Sequence, residues 1–93
     1  FNAYPAEIEN LLLGHPDIAE AAVIGIPDER LGEVGMAFVV PRQGAHVDDN
    51  EVVAWARDNM ANYKAPRRVE VVESLHRNAT GKVVKDDLRS RAG

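Results

Sequence analysis

The stretch Asn78-Ala79-Thr80-Gly81-Lys82 holds the residue types best suited to chemistry in this chain. A glycine one position before a lysine lets the backbone bend and come close to a ligand. The lysine then presents a compact ammonium with three donors on a long stem. Thr80 adds a hydroxyl, and Asn78 favours a turn. Such a loop can set one positive charge against a phosphate or a carboxylate, and by local pattern it equally suits an ordinary surface loop. It is not a P-loop. That motif needs a first glycine five positions before the Gly-Lys pair and a Ser or Thr after the lysine, whereas His76 and Val83 stand there.

Tyr63, Lys64, Arg67 and Arg68 form a second constellation, one aromatic ring beside three cations. A ring face and a guanidinium suit a nucleotide; the same residues also suit a helix end whose cations complement its dipole. Gly32-Glu33-Val34-Gly35 spells the Gly-x-x-Gly of a KH loop, but it carries an acid and precedes a strand rather than joining helices. It is read as a tight turn. His15, His46 and His76 lie about 30 residues apart without ligand spacing, so they are expected to be surface polar groups and no metal site is expected. With no cysteine, there is no disulfide framework, thiolate metal site or cysteine nucleophile. No paired carboxylates or Ser/His/Asp set completes a catalytic constellation within the chain.

The elements that must position these groups follow from periodicity. Pro5 can open a helix because its missing N–H is unpaired there anyway. Ile8, Leu11 and Leu12 continue a helical stripe, and Gly14-His15-Pro16 stops it, giving a helix over 5–13. Ile18 to Ile26 reads as a strand ended by Pro27-Asp28. Gly32 to Gly35 leads into a second strand, Met36 to Val40, closed by Pro41. A connection of about six to eight residues permits an antiparallel pair. Both strands are apolar on consecutive positions and so are expected to be covered on two faces. Asp48, with Glu51 three residues on, forms a capping box for a helix running to about Asn62. Its stripe is Val52, Trp55, Ala56 and Met60, which places Trp55 and Met60 in the core. Tyr63-Lys64-Ala65-Pro66 breaks the helix. Val69, Val71 and Val72 make a third strand, 73–82 a polar loop, and Val84 with Leu88 a short last helix. The order αββαβα, with a small three-stranded sheet and flanking helices, is an α+β domain whose strand order the pattern leaves open.

Composition bounds the rest. The chain has 93 residues, 45% hydrophobic and 28% charged, the profile of one small globular domain with a modest core. No apolar run approaches the ~18 residues of a membrane span, and no charged-then-apolar leader is present, so a cytoplasmic setting is expected. Because residue 1 is Phe rather than Met, the chain is expected to be a piece of a longer protein or a processed one. Residues 1–63 hold three basic and eleven acidic side chains, a net −8; residues 64–93 hold eight basic and four acidic, a net +4. An acidic body with a basic end suits a small polyanion better than a nucleic acid, whose affinity rests on neutralising many phosphates.

The series of motifs resembles the C-terminal domain of the adenylate-forming superfamily, which includes acyl-CoA synthetases, peptide-synthetase adenylation domains and luciferases, and is closest to bacterial fatty-acyl-CoA ligases. The resemblance is carried in order by Asn2-Ala3-Tyr4-Pro5-Ala6-Glu7-Ile8-Glu9, by His15-Pro16 with Ala21-Ala22-Val23-Ile24-Gly25-Ile26-Pro27-Asp28, by Gly32-Glu33 with Ala37-Phe38-Val39-Val40, by Tyr63-Lys64-Ala65-Pro66, and by Leu75 through Lys82. It implies a mobile C-terminal lid, residues 1–93, over an N-terminal domain that lies outside this chain and binds ATP, with its Mg2+, and the carboxylic acid. It further implies that Lys82 is the lysine of acyl-adenylate formation, with Asn78, Thr80 and Gly81 as the adenylate loop. After a large rotation, Phe1 and Asn2 would line the thioester-forming site, and Tyr63, Lys64 and Arg67 would meet coenzyme A. A protein acetyltransferase acting on Lys82 is a further implied partner; relatives carry a proline where this chain has His76. Leu31 stands where many relatives carry tryptophan, and Ala65 where some carry arginine. The isolated lid is expected to be inactive. Two other readings stay open: the lid of a peptide-synthetase-type adenylation domain, and a non-catalytic anion-binding or interaction module.

Overall fold

The computed structural model describes residues 4–92; Phe1 and Asn2, expected near the thioester site, lie outside them. Six elements follow in the expected order: α1 (Pro5–Leu12), β1 (Ile18–Asp28), β2 (Gly32–Pro41), α2 (Asp49–Asn59), β3 (Arg68–Val71) and α3 (Lys85–Ala92). The sheet order is β1-β2-β3. β1 and β2 run antiparallel, from Glu20 opposite Val40 to Asp28 opposite Gly32. β3 joins the other side of β2 in parallel, with Met36 opposite Arg68 and Val39 opposite Val71. A parallel neighbour needs a crossover, and α2 supplies it.

The sheet is covered on both faces, as its continuous apolar runs require. One face packs Val23, Ala37, Val39 and Val69 against Ile8 and Leu12 of α1 and Val52 and Ala56 of α2. The other packs Ala22, Ile24, Met36 and Phe38 against Leu75 and against Leu88 of α3. Phe38 is wholly buried, so its truncation would cost about 3–5 kcal/mol. Leu11, expected on the apolar stripe, is exposed, while Ile8 and Leu12 carry the contact.

Two local departures have clear causes. The hairpin between β1 and β2 is tighter than expected, with only residues 29–31 between the strands. The Asp28 carboxylate accepts from the backbone N–H of Arg30 (2.9 Å) and Leu31 (2.8 Å), and Gly32 takes φ +80°, a conformation that favours glycine. Helix α2 ends at Asn59 rather than near Asn62, because Met60 turns to extended backbone (φ −145°, ψ 162°) and packs against the first core. Only half of the expected capping box forms. Asp48 accepts from Asn50 and Glu51 N–H, but the Glu51 side chain reaches His15 instead.

His15 is therefore no surface group; it is 3% exposed. Its Nδ1 accepts from Asp17 N–H at 3.0 Å, which leaves the ring proton on Nε2. Nε2 donates to Glu51 at 3.0 Å, and the ring meets Trp55 edge-on at 5.1 Å. This cluster ties the α1–β1 connection to α2. His46 and His76 are exposed, as expected.

Candidate functional site

Lys82 stands on a hairpin built for it by the residues around it. Arg77 and Val83 form an isolated antiparallel bridge, and Val84 N–H donates to His76 O at 2.8 Å. At the tip, the Asn78 side-chain carbonyl accepts three bonds: from Thr80 N–H (3.0 Å), Thr80 Oγ1 (2.7 Å) and Lys82 N–H (3.1 Å). Asn78 N–H donates to Lys82 O, and Gly81 N–H to Asn78 O, each at 2.9 Å. Gly81 has φ +85°, where a side chain would be strained. The sequence thus chooses Asn for a three-way acceptor and Gly for a left-handed turn.

The result is a fixed backbone with a free ammonium. Of the three lysines, Lys64 pairs with Glu7 and Lys85 with Glu9; Lys82 is exposed and has no side-chain partner among the described residues. The Thr80 hydroxyl spends its proton on Asn78, so it can accept from a ligand but not donate to one. The hairpin can therefore offer one cation from a rigid base to an anion outside the domain. Its stem is tied to α3 by a hydrogen bond between His76 Nδ1 and the Asp87 carboxylate.

The second constellation divides. Tyr63 and Arg67 line an open groove of about 440 Å³ together with Leu31, Glu33, Val34, Gly35, Asn62 and Ala65. Its far wall, Leu31 and Glu33 on the β1–β2 hairpin, comes from some thirty residues upstream and is the part that local reading of the Tyr63 segment missed. The glycines at 32 and 35 were its available signal. Tyr63 is 65% exposed and Leu31 58%, so a ring face and an aliphatic edge border the groove. Lys64 does not line it. Its ammonium pairs with Glu7 on α1, whose carboxylate holds it above the usual lysine range, and lies 5.7 Å from the Tyr63 ring. Arg68 diverges from Arg67 as β3 begins, and lines a different hollow of about 330 Å³ with Ile26, Pro27, Arg89 and Ala92. Alternate residues of a strand face opposite sides. Arg67 N–H is bonded to Gly35 O at 2.9 Å, which seats its backbone at the groove floor.

The two sites lie at opposite ends of the β1–β2 ladder. Arg77 anchors the Lys82 hairpin to Glu20, opposite Val40, whereas the groove includes Gly35, opposite Gly25. Five residues of strand separate these anchor points, about 17 Å at ~3.4 Å per residue. Among the described residues no group of three His, Cys, Asp or Glu side chains could hold a metal ion, and no helix is long and apolar enough to cross a membrane.

A family profile described as the AMP-binding enzyme C-terminal domain matches residues 7–82. The chain belongs to that family. This AMP-binding C-terminal domain is 55% identical over 89 residues to the methyl-dioxo-octahydro-indenyl-propanoyl:CoA ligase of Mycobacterium tuberculosis, a match that covers 96% of this chain and 18% of the relative. It is 48% identical over 92 residues to a feruloyl-CoA synthase of an Amycolatopsis species, covering 99% of this chain and 19% of the relative. A solved fatty acyl CoA synthetase of Mycobacterium tuberculosis superposes with a TM-score of 0.81 at 43% identity, over 95% of this chain and 17% of that one. The domain thus spans less than a fifth of the length of the relatives it matches.

Proposed function

We propose that this domain is the mobile lid of an ATP-dependent carboxylic acid:CoA ligase, and that Lys82 is the cation it delivers to acyl-adenylate formation. The observation that carries this is the combination at the hairpin: a backbone fixed by Asn78 and Gly81, bearing the one lysine without an acidic partner among the described residues. A catalytic cation gains most when it is preorganised and meets developing charge in a closed, water-poor site. Among the described residues nothing encloses Lys82, which is exposed; in this reading the partner domain supplies the enclosure. ATP, its Mg2+ and the acid would be held mainly there. Relatives named for a bicyclic, an aromatic and a fatty acid share this domain at 43–55% identity, which fits an acyl pocket placed elsewhere.

The groove serves the second half-reaction in this reading. Tyr63 and Arg67 both line it, an aromatic ring and a guanidinium, a pairing suited to the nucleotide end of coenzyme A. Lys64, held by Glu7, steadies the Tyr63 segment rather than meeting the ligand. The two sites are anchored at opposite ends of the sheet, which supports a rotation of the lid between the half-reactions.

Lys82→Ala in the full-length protein separates the roles. Adenylate formation, read as pyrophosphate release, is expected to fall about 10²–10³-fold, while thioester formation from supplied acyl-adenylate stays within about twofold. Equal loss in both half-reactions would refute the assignment. The 93-residue chain alone, given ATP, a fatty acid and coenzyme A, is expected to form no thioester.

A further inference from the structure

The peptide group that joins Gly81 to Lys82 is held from both sides. Its N–H donates to the Asn78 side chain at 3.1 Å. Its carbonyl accepts from one guanidinium nitrogen of Arg77 at 2.8 Å. The second terminal nitrogen of the same guanidinium donates to Glu20 on β1 at 2.6 Å. Asn78 belongs to the hairpin and moves with it; Glu20 belongs to the sheet. His76 and Val83 tie the stem of the hairpin to α3 and to the second core; Arg77 is the side chain seen to join the tip itself, at the Gly81 carbonyl, to the sheet.

We propose that Arg77 and Glu20 form a clamp that sets the position of Lys82, with Arg77 as a positioning residue for adenylate formation. The inference rests on the reading of Lys82 given above. Its chemistry is specific to the planar fork of arginine, which can present one N–H to a carbonyl and another to a carboxylate in fixed relation. A lysine at 77 has one ammonium on a flexible stem and holds both acceptors less well. Without the clamp the Asn78 turn survives, but it swings relative to the sheet, and a misplacement of about 1 Å can cost up to ~100-fold in rate. A surface ion pair with no such role would contribute little and leave the tip as it was.

The test uses the full-length protein and two readouts. Hydrogen exchange of the segment 76–84 reports the order of the tip, and pyrophosphate release reports adenylation. Arg77→Gln and Arg77→Lys are each expected to speed exchange at Gly81 and Lys82 about tenfold. Both should lower the adenylation kcat about tenfold with the KM for the acid within twofold. Thioester formation from supplied acyl-adenylate should not change. Glu20→Gln should reproduce a weaker form of the same defect, and adding it to Arg77→Gln should bring no further loss. Exchange unchanged in Arg77→Gln while Lys82→Ala abolishes adenylation would overturn the clamp alone, as would defects of Glu20→Gln and Arg77→Gln that multiply. Exchange raised in Arg77→Gln with adenylation untouched in both it and Lys82→Ala would overturn the reading of Lys82 itself.

Discussion

The hairpin at Asn78–Lys82 and the groove at Tyr63–Arg67 solve opposite problems with similar residue types. At the hairpin the polar atoms of the backbone and of Asn78 satisfy each other, and a single ammonium is left over. Beside the groove a cation is neutralised, Lys64 by Glu7, and the groove itself is lined by residues of mixed character, Tyr63, Leu31 and Arg67 among them. The first arrangement leaves one cation exposed at the surface of the domain. The second leaves an open groove lined by an aromatic, an aliphatic and a cationic residue. The difference between the lysines lies in their acidic neighbours: Lys64 and Lys85 each have one, and Lys82 has none among the described residues.

The strongest way to break this comparison is to cross the two ends. Lys82→Gln keeps a polar, uncharged side chain of similar length; adenylation is expected to drop about 10²-fold or more, with the KM for coenzyme A unchanged. Tyr63→Ala with Arg67→Ala should do the reverse, raising the KM for coenzyme A about tenfold or more and leaving pyrophosphate release alone. A variant at either end that moves both parameters would mean that the two regions form one site. Next in size is Gly81→Val. At φ +85° a β-branched residue costs about 1–3 kcal/mol, confined to the tip. Adenylation should fall about tenfold while the melting temperature of the domain moves by only a few degrees. Global unfolding instead would show that the tip is part of the folding core.

Much of this was legible from residue order, for identifiable reasons. Continuous apolar runs at 18–26 and 36–40 required a sheet covered on both faces, and both cores are there. Asp48 and Pro5 marked helix starts because caps and first turns are local chemistry. Long-range choices were not legible. The parallel pairing of β3 with β2 depends on how α2 crosses over, not on the letters of β3. His15 is spaced like a surface histidine, yet it is buried through a glutamate 36 positions away. Lys64 and Arg67 look equivalent in sequence, and a glutamate on α1 separates them. At the hairpin the opposite holds. Asn78, Thr80, Gly81 and Lys82 are close in sequence and their bonds are local, so the motif could be read directly; Glu20, its anchor on β1, could not.

The smallest expected effect concerns the far wall of the groove. The carboxyl of Asp28 is held below its ordinary value of 3.8, chiefly by the Leu31 N–H, then by the Arg30 N–H, with the Arg30 and Arg67 guanidinium groups adding to the effect. The charged form is thus favoured in the folded turn. Its contribution is present in full above the unfolded value and is lost as pH falls through the lowered folded value, so the window lies below 3.8. The Leu31 amide resonance should therefore follow Asp28 with a midpoint below 3.8. A midpoint above 3.8 would mean that the turn disfavours the charge. Asp28→Ala removes the acceptor at all pH values. It should loosen the 29–31 connection, let Leu31 drift from the groove wall and raise the KM for coenzyme A about two- to threefold, with adenylation unchanged because the Lys82 hairpin is anchored at the other end of the same strand.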